Sequence, residues 1–359
     1  MLWIILPITL FGSLAFAQDK GWEKEWANLL SAARKEGRVV VSGPADPTTR
    51  RELPAKFTAR FGIPVEYLVG NPSEVFQKAR IERRAGVYSI DVFVSGTQTF
   101  GPLYQEKMLD PLKPALLLPE VLDPTKWKKG KPWFMDPEDR YVLRLFSFVS
   151  AFFYINTRLA KVEEFKTHMD LLRSKWTGKI VVNDPTVPGR GAFIASVIYS
   201  RFGEEFAKKL FIDQRPVMSR DTRQVTDWIA RGTYPISLEA DDEQVERMKE
   251  EGFPMQIIYS LPGQPGAITS AVGQAGILNR APHPSAARVF ANWLASKEGV
   301  ETFSRARVHA STRNDVGESF LRKDQIPQSG VNYFDASGWE FSTVENNKIR
   351  QRMREILKR

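Results

Sequence analysis

The 359-residue chain contains no cysteine. That absence excludes disulfides, thiolate metal sites, a cysteine nucleophile and a lipid-modified N-terminal cysteine together. Histidine is nearly as scarce: His168, His283 and His309 are the only three, and none stands at a zinc-binding spacing such as H-E-x-x-H. No G-x-S-x-G, P-loop or G-x-G-x-x-G is present. Beyond residue 17 no stretch reaches the ~18 uncharged apolar residues that a membrane span needs. There is also no internal repeat and no low-complexity tract. These gaps leave enzyme readings without support, so no catalytic residue, metal site or cofactor is expected.

What is present begins with an apolar run from Leu2 to Leu14, followed by Ala15-Phe16-Ala17. Small residues at the two positions read by a signal peptidase make residues 1–17 a secretory signal, cleaved near Ala17. Its lack of a leading Lys or Arg is unusual. The remainder is expected to be a soluble periplasmic protein and a monomer. Apolar content of 42% and charged content of 26% are those of an ordinary globular protein. The length suits two lobes rather than one core. The net charge is +9, but Lys and Arg are scattered over predicted helix faces. Together with the compartment, this argues against nucleic acid and gives only a modest bias toward an anionic ligand.

Along the chain, helices and strands alternate. Trp22, Trp26, Leu29, Leu30 and Ala33 recur at helical spacing, predicting a helix over 21–36 that Gly37 closes. Strands are predicted at 38–43, 65–69 and 90–94, with helices at 49–60 and 72–84 between them; this is the pattern of a parallel, doubly wound sheet. Residues 110–140 are proline-rich and irregular, and 141–155 form a long aromatic and β-branched run. A second α/β pattern follows, with helices predicted at 161–172, 192–201, 204–210, 222–231 and 241–250, and strands at 179–182 and 234–238. A helix at 285–294 and a basic amphipathic helix at 346–359 end the chain. The expected division is 18–148 with 265–359 as lobe 1 and 149–264 as lobe 2. Two crossings between lobes make a cleft with a hinge.

Several blocks resemble one family. Ala33-Arg34-Lys35-Glu36-Gly37-Arg38-Val39-Val40-Val41 is similar to the opening of the extracellular solute-binding proteins grouped with ferric-iron-type ABC importers. Tyr154-Ile155-Asn156-Thr157, Lys175-Trp176-Thr177-Gly178-Lys179-Ile180 with Asp184-Pro185, and Ala281 through Gly299 resemble its later blocks in the same order. The resemblance implies an α/β, type II periplasmic binding protein fold with two doubly wound lobes and a two-crossing hinge. It also implies delivery of a small solute to an ABC permease in the inner membrane. Iron-binding members place two adjacent tyrosines after the strand that here ends at Leu238; this chain has Glu239-Ala240-Asp241-Asp242 there and no Tyr-Tyr pair anywhere. An anionic organic solute is therefore expected in place of bare ferric iron. Ferric transport, and a periplasmic sensor for a membrane kinase, stand as the alternatives.

Ligands of open α/β sheets bind beyond the carboxyl ends of the strands, where helix N-termini favour anions. That rule selects Ser42, Gly43, Asn71, Ser95, Gly96 and Thr97 from the first lobe, each of which could equally be turn or cap. From the second lobe it selects Thr186, Arg190, Arg220 and Thr222, since a guanidinium holds a carboxylate or phosphate in two hydrogen bonds. Either arginine could equally be a surface residue paired with a neighbouring acid such as Asp184 or Asp221. Tyr154 stands as a cleft wall or as hinge packing. Glu239 stands as a contact for a cation or ligand amine, or as the cap of the helix that follows.

Overall fold

In the computed structural model the described residues are 21–70, 72–187 and 189–357. The expected signal peptide and Asn71 lie outside them. Among the described residues no helix is long and apolar enough to cross a membrane.

The first lobe is built on one mixed sheet. Its strands lie in the order Val65–Leu68, Val39–Ser42, Val92–Ser95, Gln274–Leu278, Leu143–Arg144, Trp133–Phe134. The first three are parallel and Gln274–Leu278 runs against them. Val39, Val41, Val92 and Val94 are buried because helices cover both faces, as expected for parallel strands. Helices Gly21–Glu36, Pro47–Phe61 and Pro284–Ala295 share one core with them, centred on Phe57, Phe290 and Trp293. Asp46 caps the Pro47 helix by accepting from Thr49 N at 2.8 Å, and Gly62 ends it in the left-handed region. His283 lies at the N-cap of the Pro284 helix, where Asp91 accepts from its backbone N at 2.7 Å.

The second lobe repeats the plan with strands in the order Val217–Ser219, Ile180–Asn183, Ile236–Ser237, Phe153–Asn156, Met255–Ile258. Helix Arg190–Lys208 carries a break at Gly203, the boundary expected between two helices. The helix expected at 161–172 is instead a series of 3₁₀ turns at 162–164, 168–172 and 174–176. Asp170 accepts from the backbone N–H groups of Lys166 and Thr167 at 2.7 and 2.8 Å. Those bonds hold the chain in a local turn and interrupt a continuous helix.

Between the lobes lies a three-stranded sheet, Phe334–Asp335, Ala267–Thr269 and Phe148–Ser150. The latter two lie close to residues 149 and 265, where the expected lobe boundaries fall. The third adds to them, because the C-terminal helix Asn346–Ile356 packs on Arg190–Lys208 of the second lobe; Phe341, Ile349 and Met353 join that lobe's core. The end of the chain thus differs from the expected grouping of 265–359 with lobe 1. Arg144, fully buried, secures this third strand through Asp335 at 2.6 Å and the Phe146 carbonyl at 2.7 Å.

Candidate functional site

A cleft of about 840 Å³ opens between the lobes beside the three hinge strands. Its first-lobe wall is formed by the loops and helix starts after Leu68 and Ser95. Ser95, Gly96 and Thr97 all line it. Gly96 is needed there because a Cβ would stand 2.7 Å from the Ala271 carbonyl oxygen of a neighbouring loop. Thr97 opens helix Thr97–Gln105, which no side chain caps. The Thr97 hydroxyl is engaged elsewhere, donating to Ser337 O at 2.8 Å and accepting from Gln274 Nε2 at 2.7 Å. The helix N-terminus is left with its partial positive charge directed at the cleft.

Arg190 dominates the second-lobe wall. Gly189, at φ 148°, turns the chain into helix Arg190–Lys208, where no side chain caps the N-terminus. Gly191 packs so closely on the end of strand Ile180–Asn183 that a Cβ would meet Asn183 O at 2.2 Å. The two glycines bring Arg190 over the loop following Ser237. Its Nη1 donates to Glu239 Oε1 and to Ala240 O, both at 2.9 Å, while 57% of the side chain stays exposed to the cleft.

Glu239 is the buried partner, its side chain 4% exposed, and its Oε2 accepts no hydrogen bond. Burial raises its pKa to about 7, against the pull of Arg190 and with a further push from Asp242 and Asp241. Burial also disfavours the charged Arg190, but the Glu239 carboxylate outweighs it and holds the guanidinium protonated. Tyr154 is buried in the same wall and donates to Asp242; burial, then that carboxylate, keeps the phenol well above its usual pKa. The cap of the following helix is Asp241, which accepts from Gln244 N at 2.9 Å, not Glu239. Glu239 serves as counter-ion to Arg190.

The other expected residues lie elsewhere. Arg220 follows Val217–Ser219, the edge strand of its sheet, and pairs with Asp184 at 3.4 Å with 75% of its side chain exposed. It lines a separate groove beside Ile356 and Leu357 of the C-terminal helix. Thr186 closes a turn on Asp184, donating from its N at 2.9 Å and its Oγ1 at 2.6 Å. Thr222 donates to Asn183 Oδ1 at 3.1 Å at the start of its helix. Ser42 and Gly43 line a side pocket of about 260 Å³ that shares Pro72, Ser95, Val272 and Arg307 with the cleft.

Two cleft residues, Arg307 and His309, carry no local sequence signal for a ligand site. Both depend on helix Lys297–Arg307, which directly follows Pro284–Ala295. Its signals are Ser296, which accepts from Gly299 N at 3.3 Å, and Gly299 itself, where a Cβ would stand 2.0 Å from Trp293 O. His309 stacks on Phe148 with ring centroids 3.8 Å apart. Burial, reinforced by Arg307, lowers its pKa to about 3, so it is neutral.

The overall architecture is shared with solved binding proteins. A ferric binding protein from Campylobacter jejuni aligns with TM-score 0.67 at 16% identity, over 89% of this chain and 99% of its own. The Trichodesmium protein IdiA (FutA), in complex with iron and citrate, aligns with TM-score 0.66 at 17% identity, over 89% and 98%. AfuA from Actinobacillus pleuropneumoniae, with fructose-6-phosphate bound, aligns with TM-score 0.64 at 17% identity, over 90% and 99%. At these identities the likeness shows the type II periplasmic binding protein fold. Residues 52–324 match the family model described as bacterial extracellular solute-binding protein. The chain belongs to that family, whose members capture solutes for ABC import and are not enzymes.

Proposed function

We propose that the interlobe cleft captures a small organic anion, which Arg190 holds from the second lobe and the Thr97 helix N-terminus holds from the first. The observation that carries this reading is the pair of uncapped helix N-termini, one on each wall, with an arginine beside them. Backbone N–H groups and dipole ends directed at one space favour an anion. Arg190 adds a guanidinium only partly engaged by Glu239. Because the two groups belong to different lobes, a ligand gains both contacts only when the lobes close. It therefore shifts the population toward the closed form. The three hinge strands are where that motion is absorbed, and the closed form is the one a permease would accept.

The bound fructose-6-phosphate in AfuA makes a phosphorylated, hydroxyl-rich solute a natural probe. Iron-bound relatives favour ferric ion as the competing cargo. Against it, the one tyrosine among the described cleft-lining residues is Tyr154, whose phenol is buried and already donating to Asp242. A thermal-shift screen tests the two together, since a ligand selective for the native state raises the melting point. Organic phosphates and carboxylates are expected to raise it. A response confined to ferric salts, with a tyrosinate charge-transfer band, would overturn the reading.

A further inference from the structure

The geometry points to a second ligand contact on the first lobe: the side pocket beside Asp46 and Arg307 receives an uncharged, hydroxylated part of the solute. This rests on the anion reading for the orientation of the ligand, but its own observations are separate. The pocket opens off the cleft, and Arg307 lines both. Asp46 Oδ1 is occupied in capping the Pro47 helix. Its Oδ2 lies 2.9 Å from Arg307 Nη1 but accepts no hydrogen bond, and Arg307 Nε is buried and donates none. An acceptor and a donor thus stand side by side, both desolvated and neither hydrogen-bonded. Buried polar groups left in that state are uncommon, and each calls for an explanation.

The pair is electrically balanced. Asp46 would repel an anion there and Arg307 would repel a cation, so the group best suited is neutral and both gives and takes a hydrogen bond. A hydroxyl does this: its oxygen accepts from the guanidinium and its O–H donates to the carboxylate. Charge-assisted bonds of this kind are the stronger ones. Ser42, also buried, lines the same pocket with a further hydroxyl. Val308, directly after Arg307, is β-branched, half-exposed and left-handed at φ 52°. It is the left-handed C-cap of helix Lys297–Arg307, its backbone N–H donating to Ser304 O and Arg305 O. Here the turn holds Arg307 and His309 together on the cleft wall. The solute class that follows is an anion carrying a polyol or sugar portion, with the charge toward Arg190 and the hydroxyls in the side pocket.

The test uses Asp46→Asn and Arg307→Lys. The first keeps a competent helix cap and removes the charge; the second keeps the charge and removes the Nε donor. Titrations with fructose-6-phosphate, fructose and inorganic phosphate are compared with wild type, and melting points check folding. Both variants are expected to weaken fructose-6-phosphate and fructose by about tenfold or more, leaving inorganic phosphate within about twofold. Unchanged sugar affinities, an equal fall for all three probes, or no sugar binding by the wild type would overturn the assignment. If neither phosphate binds while fructose does so and responds to Asp46→Asn, the anion reading fails and the pocket assignment stands.

Discussion

The two walls of the cleft hold their arginines in different ways. On the second lobe, Arg190 is paired with a carboxylate that is almost wholly buried, in a wall that also buries Tyr154 against Asp242. On the first lobe, Arg307 is paired with Asp46, and both side chains are about one-fifth exposed. The deep pair couples a shielded carboxylate to an exposed guanidinium, the shallow pair has both partners near the surface, and each pair leaves a carboxylate oxygen without a hydrogen bond. The contrast suggests a division of labour, with one wall supplying charge that is already in position and the other supplying groups that the solute completes.

The largest way to break that contrast is to titrate the deep pair. Glu239 has its pKa raised to about 7 by burial, so the folded state holds this proton more tightly than the unfolded chain does. Its contribution is full at pH values below the ordinary carboxylate range and is lost as pH rises toward 7, on the order of 3 kcal/mol in all. Glu239→Gln cannot lose that proton. Its melting point relative to wild type is expected to climb between pH 5 and 7.5 and then level off. A constant offset would mean that Glu239 is ionised throughout.

Next in size is Arg190→Ala. Loss of charge-assisted bonds to the ligand is expected to weaken binding of an organic anion by about 1.5–3 kcal/mol. Isothermal titration measures this directly, and an unchanged affinity would remove Arg190 from the site. A smaller effect tests the first wall. In Gly43→Ala the new Cβ would stand 2.3 Å from the Tyr67 hydroxyl, which donates to Pro44 O at 3.1 Å. Displacing that ring is expected to cost about 1–3 kcal/mol by denaturant melt and to distort the side pocket. Sugar affinity should then fall more than inorganic phosphate affinity.

Much of this was legible in the sequence, and particular residues show why. The strand and helix alternation follows from runs such as Val39-Val40-Val41 and Ile180-Val181-Val182, which local pattern alone identifies. Gly189-Arg190-Gly191 marks a ligand loop in the sequence because two glycines bracket an arginine ahead of a helix; the positive φ of Gly189 and the close packing of Gly191 are seen only in the structure. Arg220 carries a similar local signal, but its strand lies at the sheet edge, and strand order is a long-range property that neighbouring residues do not encode. Glu239 was ambiguous for the same reason, since its partner is 49 positions away. Helix Lys297–Arg307 had readable signals in Ser296 and Gly299, though nothing local ties its far end to Asp46. The third hinge strand, Phe334–Asp335, is two residues long and has no periodicity to detect.

A solute that bridges the two walls must depend on Arg190. A single titration series tests that dependence most directly: fructose-6-phosphate into wild type, Arg190→Ala and Arg220→Ala under one set of conditions. Arg220 is three-quarters exposed and lies outside the cleft, so its removal is expected to leave affinity unchanged, while Arg190→Ala loses most of the binding. Loss of binding in Arg220→Ala with Arg190→Ala unaffected would contradict a bridge through Arg190 and move the site to the groove beside the C-terminal helix.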